Sequence, residues 1–154
     1  MKSTFKYVAA VIATATFFST PTISQDNEIP VGIQPDEIEW FSPPPAFAQD
    51  TVGALLSGPP SVEGGLYTIR VKMKKGGMIQ PHRHPDKRYI TVLSGVLYAG
   101  RGTKIDEAFV TQYPAGSFFT IPAQYVHFTW AKEGEVVYQE SGIGPTANEL
   151  VTEE

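Results

Sequence analysis

The sequence predicts an all-β barrel preceded by a proline-rich N-terminal arm, on three observations. Short runs of β-branched and aromatic residues recur from Leu66 to Glu140 with Gly or Pro breaks between them, which is the layout of a sandwich or barrel. Inside those runs apolar and polar side chains alternate, as in Ile69, Val71 and Met73 against Thr68, Arg70 and Lys72, so each strand has a wet and a dry face. Beyond the first 24 residues no segment shows a convincing 3.6-residue period; residues 52–56 come nearest and are too short to assign. A chain of 154 residues is one domain's worth, large enough to bury a usable core.

Taken in order, residues 1–24 carry Lys2 and Lys6 ahead of an apolar run from Tyr7 to Phe18 and then small and polar residues, the plan of a secretory signal peptide. The run is too short to span a bilayer. Cleavage near Gln25 would leave a secreted or periplasmic protein; an uncleaved amphipathic anchor is the alternative. Residues 25–50 hold Pro30, Pro35 and Pro43-Pro44-Pro45 among isolated apolar residues, Ile38, Trp40, Phe41 and Phe47. Proline at that density removes backbone donors and favours extended geometry. This is an arm, either a flexible linker or a strap over its own barrel or a second subunit's sheet. Residues 51–145 form the barrel. Gly76-Gly77 is expected to break the first long strand, and Ser94-Gly95 to join Tyr89–Leu93 and Val96–Ala99 as a hairpin. Further strands are expected over 108–113, 117–121, 125–131 and 135–140, and residues 146–154 are expected to form an acidic tail.

The chain has no cysteine. An exported fold without disulfides must rest on core packing, helped by a bound metal or a partner subunit, and lipid attachment through a lipobox cysteine is excluded. The formal charge of −4 becomes −6 once residues 1–24 are removed, with 10 basic against 16 acidic residues. With no basic run, nucleic acid and anionic membrane surfaces are poor partners. A small molecule and a second copy of the chain, in a homodimer, are the expected partners.

All three histidines lie in two short windows: His82 and His84 as a His-x-His pair, and His127 farther on. Imidazole is the commonest protein ligand for Zn, Fe, Cu, Mn and Ni, and residues i and i+2 of an extended chain point to the same face. Pro81 and Pro85 bracket the pair and restrict its backbone. Taken alone, His127, flanked by Phe128 and Trp130 on a strand, reads more readily as a core residue than as a ligand.

The windows around these histidines, Gly76 through Gly95 and Gly116 through His127, resemble the two signature motifs of the cupin superfamily. Gly76, His82, His84 and Gly95 fall at the first motif's spacing, and Gly116, Pro122 and His127 at the second's. The lead-in from Trp40 and the ending Ser141-Gly142-Ile143-Gly144-Pro145 look like small, single-domain, RmlC-like cupins. The resemblance implies a jelly-roll barrel, a double-stranded β-helix, with a divalent metal ion (Fe, Mn, Zn, Cu or Ni) on His82, His84 and His127. Two departures bear on the site. Arg88 stands where the first motif has its acidic ligand, and Gln124 and Ala131 replace the Gly and Asn of the second. A three-His set of this kind is also found in cupins resembling cysteine dioxygenase.

Arg88 is the difficult position. A guanidinium about 6 Å from a dipositive ion, at an effective dielectric of 20, meets about 5 kcal/mol of repulsion. It is therefore expected to turn to solvent, with Asp86 or another acid as partner; the alternative is a pocket-facing clamp for a substrate carboxylate. Glu140 and Gln139 lie on opposite faces of the last strand, so at most one points inward, and Glu140 is a candidate fourth ligand. Tyr89, Tyr125 and Tyr138 are phenols on candidate pocket strands, of which Tyr89 and Tyr125, with Arg88, are candidates for a catalytic role. Together these readings describe an exported metalloprotein, an oxidoreductase of dioxygenase type acting on a small molecule, anionic if Arg88 is a clamp, with a non-catalytic metal- or ligand-binding module as the alternative.

Overall fold

The computed structural model describes residues 32–152; the signal peptide expected over 1–24 and the first part of the arm lie outside the described residues. The strands are β1 (Ala48–Ser57), β2 (Leu66–Arg83), β3 (Arg88–Ser94), β4 (Val96–Arg101), β5 (Val110–Pro114), β6 (Phe118–Ile121), β7 (His127–Trp130), β8 (Val136–Ile143) and β9 (Glu149–Leu150), with a 3-10 turn at Glu107–Phe109. They pair in the order β5-β4-β7-β2-β8-β3-β6, with β1 and β9 also on β2. This is the all-β jelly-roll barrel. The alternation read from the sequence sets its inside: Tyr67, Val71 and Met73 of β2, Ile90 and Val92 of β3, Leu97 of β4 and Val136 and Tyr138 of β8 are buried.

The 18-residue β2 organises the rest. Its first half pairs with β8, from Leu66↔Ile143 to Met73↔Val136, and its second half with β7, from Met78↔Trp130 to His82↔His127. The change of partner falls at Gly76-Gly77, where Gly76 has φ +85°. The expected break is thus a bend within one strand, at which a residue without Cβ takes the left-handed conformation.

Residues 52–56, unassigned from sequence, are strand, the middle of β1, which pairs antiparallel with β2. Two expectations are corrected. Ser94-Gly95 does not close a hairpin: β3 pairs with β6 and β8, whereas β4 pairs with β5 and β7. Gly95, at φ +75°, passes the chain from one set of neighbours to the other, so close to the Glu135 carbonyl that a Cβ would lie 2.2 Å from its oxygen. A Ser-Gly pair looks alike in sequence whether the chain reverses or turns a corner. Finally, residues 146–152 are not a free tail. Through β9, His82 pairs with Leu150 and Arg83 with Glu149, and the Val151 amide donates to the Pro81 carbonyl at 2.9 Å.

The arm from Trp40 to Phe47 lies against its own barrel. Phe41 and Gly53 exchange backbone hydrogen bonds of 2.8 and 2.9 Å, and the Phe41 ring covers Gly53 so closely that a Cβ there would stand 2.9 Å from Cζ. Lys72 Nζ sits 4.5 Å from the Trp40 ring centroid, a cation–π contact. Residues 48–50, expected in the arm, already belong to β1.

Candidate metal centre

Strand alternation brings the histidines together. His82 and His84 are buried while Arg83 between them faces out and bonds Glu149 at 2.8 Å. His127 opens β7 directly across from His82, with ring centroids 4.2 Å apart; His84 stands 4.7 Å from His82 and 5.2 Å from His127. One ring nitrogen from each lies within 4.8 Å of the others.

Each ring is oriented through Nδ1. His82 Nδ1 lies 2.7 Å from the Gln80 carbonyl, His127 Nδ1 2.9 Å from that of Tyr125, and His84 Nδ1 3.0 Å from that of Ala147. A carbonyl only accepts, so for His82 and His127 these contacts place the proton on Nδ1 and leave the Nε2 lone pair free, the arrangement that prepares histidine as a metal ligand. His84 Nδ1 lies between the Ala147 carbonyl, an acceptor, and Arg88 Nη2, a donor 3.0 Å away, and either tautomer satisfies one of them. The rings are also held neutral. Burial, reinforced by His127 and His84, lowers the pKa of His82 to about 2. Burial and then the Arg88 charge lower that of His84 to about 4, and burial lowers that of His127 to about 4.

Arg88 is only 1 % exposed, so the expectation that it turns to solvent is overturned. Its Nε pairs with Asp86 Oδ2 at 3.1 Å and its Nη1 with Glu140 Oε1 at 2.6 Å. Its Nη2 donates to Thr146 Oγ1 at 2.7 Å and lies 3.0 Å from His84 Nδ1. Asp86 in turn accepts from Tyr67 Oη and Thr146 Oγ1. Burial opposes charge on Arg88, but Glu140, Tyr67 and Asp86 outweigh it and raise the guanidinium's pKa. Burial also pushes Asp86 up, and its bonds to Thr146 and Tyr67 together with Arg88 outweigh that and lower it. The repulsion estimated from sequence is thus met by two carboxylates of the protein itself. Glu140, the candidate fourth ligand, points inward as one of the two alternatives allowed, but its Oε1 is bonded to Arg88, and among the described residues the convergent group is His82, His84 and His127.

A cavity of about 280 Å3 adjoins the three histidines, walled by Phe41, Pro43 and Phe47 of the arm, by Ile69, Val71, Ile79, Ile90 and Tyr138 of the barrel, and by Arg88, Glu140 and residues 146–148. Phe47 meets the His82 ring edge-on at 5.1 Å. Of the three tyrosines, Tyr138 lines this cavity, and burial pushes its phenol up, so it offers an O–H donor. Tyr89 is 44 % exposed on the outer face of β3, because its inward neighbours are Arg88 and Ile90. Tyr125, 42 % exposed, lines a wider outer cleft of about 520 Å3 that reaches His127 from the other side, beside Arg101 and Phe109. Neither lines the cavity beside the three histidines.

Among known proteins, the family model described as "Cupin" matches residues 59–152. The chain is a cupin. Solved structures agree at the level of fold. The polyketide cyclase RemF from Streptomyces resistomycificus is 15% identical, with a TM-score of 0.67 over 82% of this chain and 88% of that one. A cupin 2 conserved barrel domain protein from Rhodopseudomonas palustris is 17% identical, at 0.60 over 75% and 77%. A cupin-like protein from Thermotoga maritima is 19% identical, at 0.57 over 70% and 81%. A search of curated proteins finds no match.

Both replacements in the second motif have a structural account. Gln124 occupies the motif's glycine position in the left-handed conformation, φ +61°, and its amide donates to the His84 carbonyl at 2.7 Å. Ala131, in place of the motif's Asn, is fully buried in the hydrophobic cluster. Several residues of this cupin's site were beyond sequence reasoning: Phe47, Tyr67, Thr146 and the Ala147 carbonyl. Each reaches the histidines or Arg88 by a contact between distant chain segments, and no local pattern marks it.

Proposed function

We propose that His82, His84 and His127 hold one divalent metal ion, and that the protein is an exported metal-dependent oxidoreductase acting on a small molecule in the adjoining cavity. The observation that carries this reading is the set of three buried, neutral imidazoles, each with Nδ1 beside a backbone carbonyl and each bringing one ring nitrogen within 4.8 Å of the others. Three neutral ligands suit borderline divalent ions and leave coordination positions for substrate. The surrounding formal charge supports a cation: Asp86 and Glu140 face a single Arg88, one negative charge in excess.

A bound ion supplies Lewis acidity and, for Fe, Mn or Cu, redox capacity toward O2. The chain's own residues do the rest. Asp86, Thr146 and Glu140 fix Arg88; the Ala147 carbonyl lies against His84; the arm residues Phe41 and Phe47 form part of the cavity wall. Export is supported by the composition of residues 1–24.

Elemental analysis of protein taken from its native compartment, followed by O2-uptake assays with the metal-loaded protein and small organic candidates, tests the reading. One equivalent of Fe, Mn or Cu with substrate-dependent O2 uptake is the expected result. The second reading, a binding module without turnover, is favoured by Arg88: where the cupin motif has an acid, this chain has a buried guanidinium paired with Asp86 and Glu140, which stays protonated and moves no protons. Ligand binding without turnover would select it.

A further inference from the structure

Resting on the proposed site, we infer that its ligand is an uncharged, mostly apolar molecule of about ten non-hydrogen atoms carrying one hydrogen-bond donor, and not the carboxylate that an arginine at position 88 suggests from sequence.

The size follows from the cavity. Its volume is about 280 Å3; an apolar cavity of about 150 Å3 holds a benzene and a water's share of liquid is about 30 Å3. Its chemistry follows from the walls. Phe41, Phe47, Ile69, Val71, Ile79 and Ile90 are apolar, and such surface favours an apolar body that leaves no polar group unpaired.

Arg88 lines the same cavity, yet each of its three nitrogens already has a partner: Nε has Asp86, Nη1 has Glu140 and Nη2 has Thr146. A guanidinium has five N–H donors, so its nitrogens are not exhausted, but Arg88 already carries two buried carboxylates, Asp86 and Glu140, and a substrate carboxylate would be the third anion on a single cation. The other charged group on the wall is Glu140, of which Arg88 engages Oε1. A carboxylate only accepts, so its remaining capacity selects an O–H or N–H. An anion drawn to a cation on the histidines would share the chamber with that carboxylate; a neutral donor is attracted by it.

Two probes of one shape, 4-methylbenzamide and 4-methylbenzoate, isolate charge and donor. Calorimetric titration of the metal-loaded full chain should show the amide binding at least about tenfold more tightly than the carboxylate. Equal or tighter binding of the carboxylate, or no amide binding at millimolar concentration, would overturn the inference. Ile69→Phe, which fills the apolar end, should weaken the amide about tenfold or more while leaving metal content unchanged; unaltered affinity would place the ligand elsewhere and also overturn it. The same titration on metal-free protein separates the two readings. Amide preference in a protein that retains no metal would leave the cavity assignment standing and remove the metal centre, whereas a metal-retaining protein that prefers the carboxylate would do the reverse.

Discussion

Arg88 Nη1 lies 2.6 Å from Glu140 Oε1, joining the first residue of β3 to the inward face of β8 beneath His84. Removing the guanidinium leaves Asp86 and Glu140 without their counter-charge, and Glu140 nearly buried. Breaking a buried pair by deleting one partner costs about 3–5 kcal/mol. Arg88→Met is expected to lose that much in urea unfolding at neutral pH. Arg88→Glu, which restores the cupin motif's acid in composition, should be worse, because it sets three carboxylates together. A loss below about 1 kcal/mol would mean that the pair is exposed in solution.

Acid should destabilise the metal-free protein at unusually high pH. The three histidines have folded pKa values of about 2, 4 and 4, below the unfolded value of about 6.5. The unfolded chain therefore binds more protons between those limits, and stability falls as pH drops below about 6.5, levelling only near the folded values. Asp86, lowered in the fold, adds a further loss below its ordinary range. Urea midpoints of apoprotein should be flat from about pH 7 to 8 and fall steadily from 6.5 to 4.5; a flat profile across that lower range would show that the imidazoles are solvated.

Gln124→Gly should stabilise. A non-glycine residue in the left-handed region costs about 1–2 kcal/mol, and glycine's extra unfolded-state freedom takes back part of the gain. A net increase of about 0.5–1 kcal/mol is expected in thermal or urea unfolding. A decrease would show that the Gln124 side chain holds a contact worth more than the backbone strain.

The arm is testable in the full chain through Gly53→Val. The new side chain collides with the Phe41 ring, so the arm should lift from β1 and become a protease substrate between residues 32 and 45, with metal content retained. An unchanged digestion pattern would mean that the Phe41 contact does not hold the arm down.

What could be read beforehand divides along sequence separation. Strand positions and the inward faces of His82, His84 and His127 follow from period-two alternation and spacing, both local. Arg88 could not be placed, because its fate depends on Asp86 nearby and on Glu140 and Thr146 from the far end of the chain, whose approach is set by the β3–β8 register. Residues 146–152 read as an acidic tail for the same reason: a two-residue strand paired with His82 and Arg83 has no periodicity to detect. Gly95 was legible as a special backbone position but not as a corner, since a hairpin and a corner ask the same freedom of glycine.

The central claim is that the three histidines act as one metal site. Metal stoichiometry by elemental analysis after loading and desalting tests it most directly, on wild type and on His82→Ala, His84→Ala and His127→Ala in parallel. The account predicts about one equivalent in wild type and about a tenth or less in each variant, because each imidazole supplies a ligand that no neighbouring group replaces. Full occupancy in any one of the three folded variants, or none in wild type, would contradict it.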